Sequence, residues 1–204
     1  VSLSRKEKSA ETEQALKAAA LRLFAERGYL NTKITDITTE AGRAAGSFYN
    51  HFGSKEELLQ ALLNDLAAAG DERAEGADHN PDFSDPEAVR YHVAGYWTFA
   101  REHGPVLRAV NQAALVNEDF ARMVAHFAVQ QRTDIADHVA GFPGKGLQLP
   151  STPDASLAMM FLLTQSLLLA VEDGTVALTD EQAVEGLTRF IYRGLTGRDI
   201  PEPS

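Results

Sequence analysis

The chain has 204 residues, 44% hydrophobic and 24% charged, an ordinary globular balance with enough length to bury a core in one domain or two. It has no cysteine, which excludes a disulfide framework and a thiolate metal site. Its net charge of −10 argues at first sight against a nucleic-acid partner.

Taken in order, the apolar spacing predicts helices throughout. The first covers 11–27, with Ala15, Leu16, Ala19, Ala20, Leu23 and Phe24 on its inner face, and Arg5, Lys6 and Lys8 ahead of it read as a flexible arm. Residues 34–55 follow, I-T-D-I-T-T-E-A-G-R-A-A-G-S-F-Y-N-H-F-G-S-K. Ile34, Ile37 and Ala41 recur at helical spacing, Gly42 suits a left-handed cap, and Phe48 and Phe52 stand four apart. A helix, a glycine turn and a second helix with small and polar residues outward is the pattern of a helix-turn-helix reader of DNA. A major groove about 12 Å wide admits a helix whose outer face is small, and Ala44, Ala45, Gly46 and Ser47 supply one. Gly46 inside a helix costs roughly 1 kcal/mol relative to Ala, which suits a site where backbone approaches a neighbouring helix or a phosphate.

Ser54 resembles an N-cap with Glu57 at the capping-box position, opening a fourth helix that carries Leu58, Leu59, Leu62, Leu63 and Leu66 and fades in the polar stretch 70–84. Asp85-Pro86-Glu87 starts a fifth helix, which runs to His103 and stops at Gly104-Pro105. A short helix covers 106–115, another runs from Asn117 to about Val139, and 141–153, rich in Gly and Pro, is a loop. Helices over 154–172 and 180–195 close the chain, with no strand pattern and no repeat. The fold class is therefore all-α, about nine helices, divided into a reader over 1–55 and a helical body over 56–204.

Charge follows the same division. Residues 1–55 hold nine Lys or Arg against six Asp or Glu, a balance of +3; residues 56–204 hold ten against twenty-three, a balance of −13. A mildly basic module on an acidic body holds phosphates on one face while the body is repelled. Seven of the nine are read as available to phosphates: Lys6, Lys8, Lys17, Arg22, Lys33, Arg43 and Lys55.

With L-R-L-F-A-E-R-G-Y ahead of it, the segment resembles the N-terminal DNA-binding domain of the TetR family of transcriptional regulators. The matching pieces are Phe24, Gly28-Tyr29, Ile34 and Ile37, Ala41-Gly42, Gly46 to Tyr49, His51-Phe52 and Ser54 to Leu58. The chain departs from the family at Arg43-Ala44, where the usual polar cap of the recognition helix is missing, and at Lys33, where Ser or Thr is frequent. The resemblance implies DNA contacts from Thr32, Lys33, Thr35, Arg43, Ala44, Ala45, Ser47, Tyr49, Asn50, His51 and Lys55, with Tyr49 and Lys55 on phosphates.

It also implies a homodimer joined by the last two helices, for which Leu157, Phe161, Thr164, Leu168, Val171, Leu187, Phe190, Ile191 and Leu195 are the candidates. A small, apolar or aromatic effector is expected in the body. The pool for its site is Tyr91, His92, Tyr96, Trp97, Phe99, Asn111, Phe120, Met123, Phe127, Met159, Phe161 and Gln165. The expected protein is thus a ligand-responsive regulator, a repressor on a palindromic double-stranded operator. A helical small-molecule binder with an unused reader, or an activator, stay open. No catalytic residue, cofactor or metal is expected: the six histidines show no ligand spacing, and Gly144-Lys145-Gly146 lacks the order of a phosphate loop. The apolar run 157–171 is shorter than a membrane span, and a polar N-terminus reads as no signal peptide, so no membrane partner and a cytoplasmic location are expected.

Overall fold

The computed structural model describes residues 4–74 and 79–200. Among them lie nine α-helices: α1 (Arg5–Arg27), α2 (Ile34–Glu40), α3 (Ala45–Phe48), α4 (Lys55–Ala74), α5 (Pro86–Glu102), α6 (Gly104–Val116), α7 (Glu118–Asp134), α8 (Pro153–Glu172) and α9 (Asp180–Thr196). No strand occurs among the described residues. The part of the polar stretch at 75–78, where α4 was expected to have faded, lies outside them. The chain forms two compact units, the described parts of Val1–Arg73 with His103–Ala125, and of Ala74–Glu102 with His126–Ser204.

In the first unit α1 begins six residues earlier than the spacing suggests. Ser4 accepts from the Glu7 amide at 3.2 Å while the Glu7 carboxylate accepts from the Ser4 amide at 2.6 Å, a full capping box. Arg5, Lys6 and Lys8 are consequently helical and exposed rather than a flexible arm. Leu16, Ala19, Ala20, Leu23 and Phe24 of α1 are buried, as are all five α4 leucines expected inside, and α1 packs on α2 and α6. Lys17 belongs to this core and not to the cationic surface. Its ammonium lies 2.9 Å from Asp65 on α4 and 3.2 Å from Glu13, and these partners outweigh burial and hold its pKa above the ordinary lysine value. Gly104 and Pro105 open α6 rather than ending α5, with Pro in the first turn, where a missing N–H costs nothing.

In the second unit α5 packs on α8 and α9, and α9 also packs on α8. The shared core holds Val89, Val93, Trp97 and Ala100 of α5, Leu157, Met160 and Leu168 of α8, and Ala183, Leu187, Ile191 and Leu195 of α9. Each helix start carries its own cap: Asp85 accepts from the Glu87 amide at 3.0 Å, Thr152 from Ala155 at 3.3 Å, and Thr179 pairs reciprocally with Gln182. α7 stops at Asp134, short of the expected Val139, and gives way to a 3-10 turn over Ala136–Val139; a second, Pro143–Lys145, interrupts the expected loop. With its first turn α8 reaches 20 residues, long and apolar enough by length and composition to cross a membrane, contrary to the shorter run read from sequence. Only 28% of its most apolar stretch is buried, chiefly through Leu157, Met160 and Leu168.

Candidate nucleic-acid interface

The turn between α2 and α3 is built from backbone alone. Gly42 takes φ 63°, its amide bonds the Thr39 carbonyl at 3.0 Å, and the Arg43 amide bonds the Thr38 carbonyl at 2.9 Å. This is the double closure of a Schellman cap, and its left-handed residue is glycine because a Cβ there would strain the backbone. α3 starts at Ala44 with no side-chain cap, in keeping with the departure noted in the sequence, and the Ser47 amide bonds the Ala44 carbonyl at 2.9 Å. Phe48 and Phe52 turn inward, fully and nearly fully buried, with rings 5.6 Å apart. They anchor a reader whose regular helix is only four residues long.

What remains outside is a small polar surface. Lys33, Thr35, Ala44, Ala45, Gly46, Tyr49 and Asn50 are exposed, Tyr49 by 63%. Ser47 and His51 are half-buried; the Ser47 hydroxyl donates to the Ala44 carbonyl at 2.6 Å, and His51 Nδ1 lies 4.0 Å from the Glu13 carboxylate. A Cβ built on Gly46 meets nothing within 4 Å, so no neighbouring helix of this chain requires glycine there. Thr32 is a correction: it is 1% exposed and donates its hydroxyl to the Gly28 carbonyl at 2.8 Å, tying the end of α1 to the turn. Arg43 is half-buried and held by Glu11 at 3.0 Å, while Arg22 is paired to Glu40 at 2.7 Å. Among the described residues Arg5, Lys6, Lys8 and Lys33 are exposed cations outside any ion pair.

Lys55 was expected on a phosphate. Its Nζ instead donates to the carbonyls of Tyr29 and Thr32, each at 2.8 Å, and sits 3.9 Å from the centre of the Tyr29 ring. Burial lowers its pKa. The Tyr29 hydroxyl donates to Glu56 at 2.6 Å, its amide donates to Gln112 of α6 at 2.8 Å, and burial, with Glu56, pushes the phenol well above its ordinary value. Burial pushes Glu56 upward, but the Tyr29 and Ser54 hydroxyls and Lys55 outweigh it and hold the carboxyl low. This cluster fixes the α4 start against the α1–α2 connection. Sequence reasoning missed it because Tyr29, Glu56 and Gln112 share no spacing pattern. The Ser54 cap forms as expected, accepting from the Glu57 amide at 3.1 Å, but the Glu57 carboxylate takes the Gly53 amide at 2.6 Å.

An all-helical chain carrying a glycine-turned pair of helices with a small, exposed outer face defines a helix-turn-helix protein. The family model described as "Bacterial regulatory proteins, tetR family" matches residues 16–62, the segment that carries the glycine-turned pair of helices. The HTH-type transcriptional regulator TtgR of Pseudomonas putida is 41% identical over 81 residues, 40% of this chain and 38% of that protein. The HTH-type transcriptional repressor KstR2 of Mycobacterium tuberculosis is 50% identical over 44 residues, 22% of each. The chain thus spans under two fifths of the length of the curated relatives it matches. Over almost the whole chain the fold is shared with a putative transcriptional regulator from Saccharomonospora viridis solved with choline, at 22% identity and TM-score 0.75, covering 93% of this chain and 100% of that one. The fatty acid degradation regulator FadR of Bacillus halodurans shares it at 17% identity and TM-score 0.73, covering 90% and 96%. These relatives are named as regulators, not enzymes.

The residues expected around an effector are dispersed. In the first unit Asn111 is exposed, Phe120 buried and Met123 half-buried. In the second, Trp97 is buried, Met159 is half-exposed on the outside of α8, and Tyr91, His92, Tyr96, Phe99, Phe127, Phe161 and Gln165 are intermediate, with Tyr96 and Phe161 edge to face at 5.8 Å. A cavity of about 300 Å³ between α5 and α9 takes only Trp97 from this set; Arg90, Arg101, Glu102, Asp180 and Glu181 also line it, a charged and not an aromatic wall.

The dimer candidates need a larger correction. Leu157, Thr164, Leu168, Leu187, Ile191 and Leu195 are all buried inside the protomer, and Phe161 and Val171 are half-buried. Of the expected set only Phe190 faces out, 69% exposed. The outward apolar stripe of α8 is instead Met159, Leu162 and Leu169. A helix apolar on most of its circumference offers two stripes, and periodicity does not say which one meets the protomer's own core.

Proposed function

We propose that this protein is a DNA-binding transcriptional repressor that acts as a homodimer in the cytoplasm and is released from a palindromic operator by a small molecule. The surface of Lys33, Thr35, Ala44, Ala45, Gly46, Tyr49 and Asn50 carries the reading, because it combines small residues for groove entry with polar tips and an unpaired cation. Relatives named as repressors, matched over 44 and 57 residues, support repression. Two copies joined through Met159, Leu162, Leu169 and Phe190 would bury an apolar stripe that a monomer leaves in water, and an isologous pair suits two half-sites. The reader, residues 1–55, and the body, residues 56–204, are the functional division. An effector in the body shifts the equilibrium only by binding the DNA-competent and DNA-free forms unequally. The half-buried aromatic residues of the second unit suit an apolar or aromatic molecule.

Fluorescence anisotropy of the full protein on the DNA upstream of its own gene tests this. Binding should saturate at one dimer per palindrome and weaken linearly with the logarithm of salt. Equal affinity for every duplex, or a monomer in solution that is unchanged by Phe190→Glu, overturns it.

A further inference from the structure

Three histidines from three separate segments of the second unit converge on one point. His79 precedes α5, His92 lies on α5, and His138 lies on the 3-10 turn after α7. Their Nε2 atoms are 3.2 Å apart for His79 and His92, 3.1 Å for His79 and His138, and 3.1 Å for His92 and His138. Phe83, fully buried, wedges edge-on against His92 and His138 with ring centres at 4.9 and 5.0 Å, and its amide donates to the His138 carbonyl at 3.0 Å.

The tautomers of two of these rings are fixed by what the opposite nitrogen meets. His92 Nδ1 is 2.8 Å from the Ala88 carbonyl and His138 Nδ1 is 2.6 Å from the Asp137 carboxylate. Both partners only accept, so both Nδ1 atoms carry the proton and both neutral Nε2 atoms present lone pairs. Those lone pairs face each other at 3.1 Å. One N–H from His79 serves one of them and leaves the other unanswered. A cation at the centre answers all three. We propose that His79, His92 and His138 form a binding site for a divalent first-row transition metal ion, of which Zn²⁺ is the probe.

The dimensions fit. An ion roughly 2.0–2.1 Å from three nitrogens at these separations subtends angles of roughly 95–105°, between octahedral and tetrahedral. Three imidazoles without thiolate are a donor set for Zn²⁺, Ni²⁺ or Cu²⁺ rather than for Mg²⁺ or Ca²⁺. The Asp137 and Ala88 contacts are the outer hydrogen bonds that orient ligating imidazoles and raise their basicity. His138 is buried while His79 and His92 are half-exposed, which leaves an open side for water or an exogenous ligand.

The sequence hides the site because His79, His92 and His138 lie 13 and 46 residues apart, far outside the short spacings by which metal motifs are read. The expectation of no metal therefore rested on spacing alone.

Full-length, tag-free protein is stripped with a chelator and titrated with Zn²⁺ by calorimetry, and with Co²⁺ by visible absorption. One ion per chain is expected, with a thermal midpoint that climbs with Zn²⁺ concentration and Co²⁺ bands of nitrogen ligation. His79→Ala, outside the core, should keep its metal-free melting profile and lose at least tenfold in affinity; Asp137→Asn should lose about tenfold. Absence of any Zn²⁺ or Co²⁺ response between pH 6 and 8 would show that the imidazoles share only a proton and overturns the site. Binding of the same stoichiometry and affinity in His79→Ala and His138→Gln places the ion elsewhere and overturns it equally.

Discussion

Residues 34–55 and the α5–α8–α9 packing are both helical, yet they are constrained in different ways. The reader compresses a Schellman turn, a four-residue helix and two anchoring phenylalanines into a short segment, so almost every position has one task. The α5–α8–α9 core is filled by Val, Leu, Ile, Met and Ala, which exchange for one another at modest cost if total volume holds. A surface shaped for an outside partner restricts residue type, whereas an interior restricts mainly size and polarity.

The comparison breaks most directly at Phe48. Phe48→Ala should destabilise the first unit by about 3–5 kcal/mol and abolish DNA binding, while a volume-conserving Leu187→Met in the second unit should cost less than about 1.5 kcal/mol in thermal or denaturant unfolding. Equal costs would mean the two regions are equally tolerant. Next in size is Lys55→Met, which removes two hydrogen bonds from a half-exposed charged donor and should cost about 1.5–3 kcal/mol in all. It should lower the melting temperature and weaken DNA binding at every salt concentration with the salt slope intact. Lys33→Ala should do the reverse, leaving stability alone and making the slope shallower by about 0.9. A shallower slope in Lys55→Met would return that side chain to the phosphates.

Gly46→Ala sharpens the contrast further. Nothing in the protein touches a Cβ there, so folding should gain up to about 1 kcal/mol while operator affinity falls. Unchanged affinity would remove the case for close backbone approach to DNA. The smallest effect is expected from Glu56. Its carboxyl is held below 4.5 in the folded protein, so its contribution is present above that pH and is lost as pH falls through the depressed value. Acid unfolding of Glu56→Gln should therefore depend less steeply on pH below about 5 than that of the native chain.

Much of this was legible in the residues because it is local. The Gly42 cap, the inward Phe48 and Phe52, the missing polar cap at Ala44 and the Asp85-Pro86 start each depend on neighbours within four positions, where chain geometry leaves little choice. Thr32 and Lys55 were misread for the opposite reason. Both are polar residues beside the reader, and whether such a side chain points to DNA or back to a carbonyl is settled by the packing of α4 on the α1–α2 connection.

Helix number, the register of the reader and the acidic bias of the body follow from periodicity and composition, which act through chain stiffness and burial of apolar faces. Partner choice across long sequence separations does not. The stripe of α8 that turns to its own core, the Tyr29–Glu56–Gln112 clamp and the meeting of His79, His92 and His138 all come from folding distant segments together. Their energies depend on distances of about 3 Å that no linear pattern encodes.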